Sequence, residues 1–261
     1  MRIPPRVRFI VNADDLGASE TINRAVFDGI DDGVVSSATL MATGEAVDAA
    51  IRTAARFPSA SFGVHMNVTE HQPLTRNPAL APLLDANGLF RRDAVYEVRW
   101  TAALIAAVGD EWTEQVRRIQ RGGIAVSHLD SHHHVHTIPA LFPALKSVQR
   151  RTGLRRVRGT WSIYEPQREP SAALRFSKRV WWWSLRHVYA TQTTSEFTDF
   201  LVFQHAVADG SYAPRRWPTA IELMVHPGGD LERDPEESAT LRSGWLKTLP
   251  VPGELVPYTA I

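Results

Sequence analysis

The sequence predicts a parallel α/β fold built as a single domain, on three observations. Segments of strand and helix character alternate along most of the 261 residues, the pattern of a parallel sheet with crossover helices. No linker, repeat or low-complexity stretch divides them, so one domain over 1–261 is expected. The acids and histidines also gather at the C-terminal ends of predicted strands: Asp14-Asp15, His65, the histidines of 128–136, and His226. Barrels of the (β/α) type build their active sites at that end of the strands.

The elements follow from the residues in order. Residues 8–13 (RFIVNA) are a short apolar run that reads as a buried strand ending at Asp14-Asp15. Ser19 is placed to N-cap a helix reaching Asp32, with Gly33 as its stop. VVSSATLM (34–41) reads as the second strand, and a helix from Glu45 to Phe57 is closed by Pro58. SFGVHMNV (61–68) is the third strand and carries His65. Residues 70–98 have no period, and QPLTRNPALAPLLDANG within them has three prolines, which predicts a lid or rim outside the sheet. Asp110 is read as the cap of a helix over 111–121, stopped by Gly122-Gly123. IAVSHLD (124–130) reads as a strand, Pro139 as an early helical residue, RRVRG (155–159) as a short strand and IELMVHPGG (221–229) as a late one. The last helix is PEESATLRSGWLKTL.

Composition bounds the function. Hydrophobic residues make up 44% and charged residues 22%, as in ordinary globular proteins. Lys+Arg number 29 and Asp+Glu 28, and this balance gives no reason to invoke nucleic acid or an anionic membrane. The absence of cysteine excludes disulfides and thiolate ligands, so a metal site must use His and carboxylate, and a cytoplasmic setting is expected. The basic N-terminus lacks a signal-peptide core, and the apolar run Ala102–Val108 is too short to span a bilayer.

HLDSHHHVH (128–136) is the densest chemical signal. In an extended strand, His128, Asp130, His132, His134 and His136 share a face while His133 points away. That strand would run on the order of 26 Å, too far for one ion to touch every imidazole. One or two of them are ligands, and the rest support or contact the substrate. KRVWWWSLRHVY (178–189) is the second unusual stretch. Leu174, Trp181, Leu185 and Val188 form one helical stripe, which suits a core-packing or dimer-facing helix and admits a homodimer. Trp181, Trp182 and Trp183 cannot all face inward, so an exposed one is available to a sugar, a lipid or a partner subunit.

VNADDLG (11–17), VVSSATLM (34–41), GVHMNVTEHQPL (63–74), HLDSHHHVH (128–136) and MVHPG (224–228) together resemble the YdjC-like carbohydrate deacetylases in order and spacing. Leu16 and Ala42-Thr43 depart from that family's usual Phe and Val-Asn beside the site and bear on substrate choice. The resemblance implies a distorted TIM-type (β/α) barrel that removes the acetyl group from an N-acetylated saccharide. It also implies that Asp15, His65 and His132 bind one divalent metal ion, with Asp14 as general base. Zinc and magnesium head the candidates, and Mn, Ni and Fe(II) also suit two His and one Asp. His226, on a separate strand end, is the candidate general acid, with His134 and His128 as alternatives. Two rival readings are a metal-dependent phosphoesterase and a non-catalytic sugar- or metal-binding protein on the same scaffold.

Overall fold

The computed structural model describes residues 6–165, 170–188, 190–229 and 234–261. Strand β1 (Val7–Leu16) leads to helix α1 (Glu20–Asp31), then β2 (Ser37–Leu40), α2 (Val47–Ala54) and β3 (Ser61–Met66). A short α3 (Ala94–Glu97) and the long α4 (Ala102–Arg121) precede β4 (Leu129–Ser131) and α5 (Phe142–Thr152). Then come α6 (Ala172–His187), β5 (Glu196–Asp199), α7 (Phe200–Ala208), β6 (Ala220–Val225), α8 (Asp234–Arg242) and β7 (Gly253–Leu255).

The strands form one parallel sheet in the order β4-β3-β2-β1-β6-β5. Strand β7 pairs with β1 at Val7–Phe9, while β2 pairs with it from Asn12 onward, so the two share one edge of β1. Period-2 alternation assigns the two faces. Phe9, Val11 and Ala13 of β1, Phe62 and Val64 of β3, and Leu223 and Val225 of β6 all join the apolar core. The intervening residues Asn12, Asp14, His65 and Glu222 are also buried, on the opposite face, and that face carries the polar chemistry described below.

The ladder stops short of an eight-stranded ring among the described residues. Beyond β4, the isolated bridges Leu129–Val157 and Arg156–Gln192 lead across toward the start of β5, and Ser162 N–H donates to Phe197 O at 3.0 Å. RRVRG therefore supplies bridging residues rather than a strand. The predicted strand at 124–130 shrinks to Leu129–Ser131.

Ser19 caps α1 as expected, its hydroxyl accepting from Ile22 N–H at 3.2 Å. Asp110 is not a cap. The helix starts nine residues earlier than expected, at Ala102, with the Thr101 hydroxyl accepting from Leu104 N–H, and it buries Leu104, Ala107, Val108 and Trp112. No described helix is long and apolar enough to cross a membrane.

The 70–98 excursion lies outside the sheet and is nevertheless fastened down. Leu80, Leu83, Phe90, Ala94 and Val95 are buried against the core. Fully buried Glu111 of α4 accepts from Leu74 N–H (2.9 Å), Thr75 N–H (2.7 Å), Thr75 Oγ1 (2.6 Å) and Gln115 Nε2 (2.9 Å). Glu111→Ala leaves two backbone donors without partners, at about 1–3 kcal/mol. Hydrogen exchange in 72–98 is therefore expected to accelerate in that variant while β1 and β6 stay protected. Unchanged exchange in 72–98 would show that apolar packing alone holds the segment.

Candidate functional site

Strand β1 would normally send Asp14 and Asp15 to opposite faces. Asp15 instead has φ 61°, in the left-handed region, and the pairing of β1 with β2 shifts register between Ala13 and Leu16. Aspartate tolerates this backbone better than most residues, and the kink re-aims a side chain. Asp15 thus turns toward His65 and His132 while Asp14 stays on the inner face.

Three ligand atoms converge there. Asp15 Oδ1 lies 3.2 Å from His65 Nε2 and 2.8 Å from His132 Nδ1, and the two imidazole nitrogens are 3.3 Å apart. Asp15 Oδ1 is buried and no N–H reaches it in hydrogen-bonding geometry. Ligand atoms set tetrahedrally at about 2.0–2.1 Å from a zinc-sized ion sit about 3.3 Å from one another, close to the observed spacing. The residues fit a cation in donor type as well as in spacing: two imidazoles, one carboxylate and no competing donor aimed between them.

Register supplies the next layer. His65 of β3 is paired with Asp130 of β4, so their side chains share a face and His65 Nδ1–H donates to Asp130 Oδ1 at 2.8 Å. That bond leaves the Nε2 lone pair for a cation, the arrangement that orients metal-bound histidines. Burial opposes charge on His65, but the Asp130 and Asp14 carboxylates override it and hold its pKa well above 6.5. Burial likewise raises Asp15, yet the adjacent His132 and His65 imidazoles hold the carboxyl well below 3.8. The cluster is therefore an environment that favours positive charge.

Sequence reasoning gave Arg158 no role, and it organises the interior. It is fully buried, with Nη1 and Nη2 donating to the two carboxylate oxygens of Asp14 at 2.7 and 2.6 Å. Nη1 also lies 2.9 Å from Asp130 Oδ2, and Nε donates to Glu222 Oε1 at 2.6 Å. Tyr258 OH donates to the other Glu222 oxygen at 2.9 Å. Burial pushes Glu222 up to about 7 even against this guanidinium. Asp14 also accepts from Asn12 Nδ2 at 2.9 Å. One carboxylate oxygen of Asp14 is within 4.8 Å of a His65 ring nitrogen, so it stands just behind the ligand cluster.

The remaining histidines separate by environment. The extended-strand parity fails after residue 132, because β4 ends at Ser131 and His133 and His134 take φ 52° and 55°. His128 is stacked on Tyr258 at 3.8 Å and lies 2.8 Å from Ser127 Oγ; burial pushes it down to about 3. A Cβ at Gly63 would come within 2.5 Å of its ring, so a bare backbone there makes the space. His136 Nε2–H donates to Arg158 O at 3.3 Å and braces that segment; burial lowers it to about 4. His134 packs edge-on to Trp161 and Phe197. His128 and His136 are fully buried, and neither lines the cavity.

A cavity of about 390 Å³ opens over the cluster, lined in part by Asp15, Glu70, His132, His133, His226 and Glu237. His226 stands just past the end of β6, its backbone N–H donating to Glu237 Oε1 at 2.8 Å. Its side chain, Asp199 and Glu237 offer polar atoms within 4.8 Å of one another. Of the sequence-predicted residues, Asp15, His132 and His226 line the cavity, His65 stands against Asp15 and His132, and Asp14 lies behind His65. Among the described residues, no Lys or Arg lines it.

Two carbohydrate deacetylases, from Brevibacillus brevis and Geobacillus stearothermophilus, are 36% and 38% identical to this chain over 141 and 145 residues. The matches cover 52% and 54% of this chain and 53% and 56% of those proteins, so they span about half the length of the curated relatives. A solved structure from Enterococcus faecalis V583, of a protein assigned provisionally to cellobiose-phosphate cleavage, shares the fold. Its TM-score is 0.77 at 20% identity, with 98% of each chain covered. The family model described as YdjC-like protein matches residues 8–249, and on that span the chain belongs to the YdjC-like protein family.

Proposed function

We propose that this protein is a metal-dependent carbohydrate deacetylase, removing the acetyl group from an N-acetylated sugar with one divalent cation held by Asp15, His65 and His132. The observation that carries the proposal is the convergence of those three ligand atoms beside a cavity that Asp15 and His132 line. The parallel ladder and its bridges between β4 and β5 suit the distorted (β/α) barrel on which such a site is assembled. The relatives named as carbohydrate deacetylases support the substrate class.

A divalent cation, when bound, supplies Lewis acidity that polarises an amide carbonyl and makes water more acidic. The residues do the rest. Water adds to the acetyl carbonyl carbon as Asp14 accepts its proton, with Arg158 and Asn12 holding the carboxylate in place. The C–N bond then breaks, His226 gives a proton to the departing nitrogen, and acetate and the free amine leave. Asp130 keeps the His65 imidazole in the orientation and tautomer that a ligand needs. A phosphoesterase is disfavoured, because among the described residues three acids and no Lys or Arg line the cavity where a phosphate dianion would sit.

The test pairs metal content with acetate release from an acetylated chitooligosaccharide. Wild-type protein is expected to hold one equivalent of divalent metal and to release acetate, losing both after chelation. Asp15→Ala, His65→Ala and His132→Ala are each expected to lose the metal. Full metal content in one variant removes that residue from the ligand set. Metal and sugar binding without acetate release identifies a binding protein instead.

A further inference from the structure

Helix α6 carries a second surface, remote from the ligand cluster. Its inner face is set by Trp181 and Leu185, which are buried, and by Lys178, whose Nζ donates to Tyr164 OH at 2.6 Å. At 100° per residue, Phe176, Val180 and Trp183 fall together on the opposite side of the helix. They are 69%, 47% and 58% exposed. Soluble surfaces seldom present such a row of large apolar side chains to water. Arg175, Arg179 and Arg186 lie along one flank of this stripe, and between Ala172 and His187 there is no acidic residue. Such a helix, with aromatic and aliphatic side chains outward and arginines alongside, suits the boundary between lipid headgroups and acyl chains.

We propose that the outer face of α6 docks the protein onto an anionic lipid bilayer. Charge decides between this occupant and a second copy of the chain. A two-fold pairing of α6 on α6 would bring the arginine flanks together with no carboxylate on either helix to meet them. Anionic headgroups neutralise that flank, and each Lys or Arg near such a surface adds attraction. The net charge of +1 hides this, because it averages a helix without acids into a balanced chain. From Lys178, contacts run through Tyr164 to Trp161, stacked at 6.2 Å, and on to His134 in the histidine-rich loop. The inner side of α6 is thus linked through packed side chains to the histidine-rich loop.

The experiment is co-sedimentation of the full chain with vesicles of phosphatidylcholine alone and with one-third phosphatidylglycerol, together with sedimentation velocity without lipid. Wild-type protein is expected to pellet with the anionic vesicles only, and less so in high salt. Arg179→Glu with Arg186→Glu, and separately Phe176→Ser with Trp183→Ser, are each expected to lower partitioning by about tenfold or more. Near-wild-type thermal unfolding certifies that each variant is folded, and Trp183→Phe serves as the milder change if the serine pair is not. Protein that stays in the supernatant with anionic vesicles overturns the proposal. So does a concentration-dependent dimer that Phe176→Ser abolishes, which would assign the stripe to a second copy. Equal pelleting of wild type and both variants also overturns it, by placing the lipid contact elsewhere. The result does not depend on the proposed deacetylation, since neither metal nor sugar enters the measurement.

Discussion

Arg158→Met is expected to be the most damaging single substitution in the protein. The guanidinium is fully buried and bonded to Asp14, Asp130 and Glu222, so its removal leaves three buried carboxylates with His65 as the nearest cationic group. Breaking a buried ion pair from one side costs about 3–5 kcal/mol. For a chain of this size that corresponds to a fall in Tm of roughly 6–20 °C. The pH dependence has a definite sign. Without the arginine, burial raises the folded-state pKa of these acids above their unfolded values, so the folded protein binds more protons. Stability then falls as pH rises through and above the ordinary carboxylate range, and part of it returns near pH 5. Calorimetry of both proteins at pH 5 and pH 8 measures this. A gap between them that does not widen at pH 8 would mean the acids are held by something other than Arg158.

Asp14→Asn is expected to keep the metal and most of the fold while losing about 10²–10⁴-fold in turnover, the usual effect of removing a positioned base. A modest loss of stability accompanies it, because an amide NH₂ cannot accept from the guanidinium that now bonds both carboxylate oxygens. Metal content, Tm and acetate release on one preparation separate the cases. Loss of metal makes Asp14 a ligand. A near-normal kcat moves the base elsewhere, with His226 the first place to look, since it lines the cavity directly.

What the sequence could show was local. The Ser19 cap and the apolar strand before Asp14 depend on residues within a few positions of each other, and both stand in the structure. The acids and histidines do lie at strand ends, because parallel strands deliver their C-terminal ends to one side. The failures lie where a tertiary partner decides. Thr101 and Asp110 are both competent caps, and burial of Leu104 through Trp112 against the core selects the first. Parity along HLDSHHHVH failed because two consecutive histidines adopt left-handed backbone, which non-glycine residues seldom do and no spacing announces. In RRVRG, three arginines look alike. Arg158 alone enters the interior, and the acids that call it there lie at 14, 130 and 222. Strand β5 and helix α7 were missed because four residues, EFTD, are too few to show a period.

The left-handed Asp15 carries a consequence for ion selection. Its carboxylate is aimed by the main chain, and that main chain is pinned: Ala18 N–H donates to Asp15 O at 2.9 Å, Met41 N–H to Leu16 O at 2.8 Å, and Gly17 N–H to Asn23 Oδ1 at 2.7 Å. With its main chain fixed in this way, Asp15 as a ligand could widen the cage only by side-chain rotation, which narrows the freedom to dilate. Calcium binds oxygen at about 2.3–2.6 Å and gathers six to eight ligands, which asks for a wider and more pliable pocket. Discrimination against it would then reside in a backbone torsion of β1, a property that substitutions among the ligands themselves leave untouched.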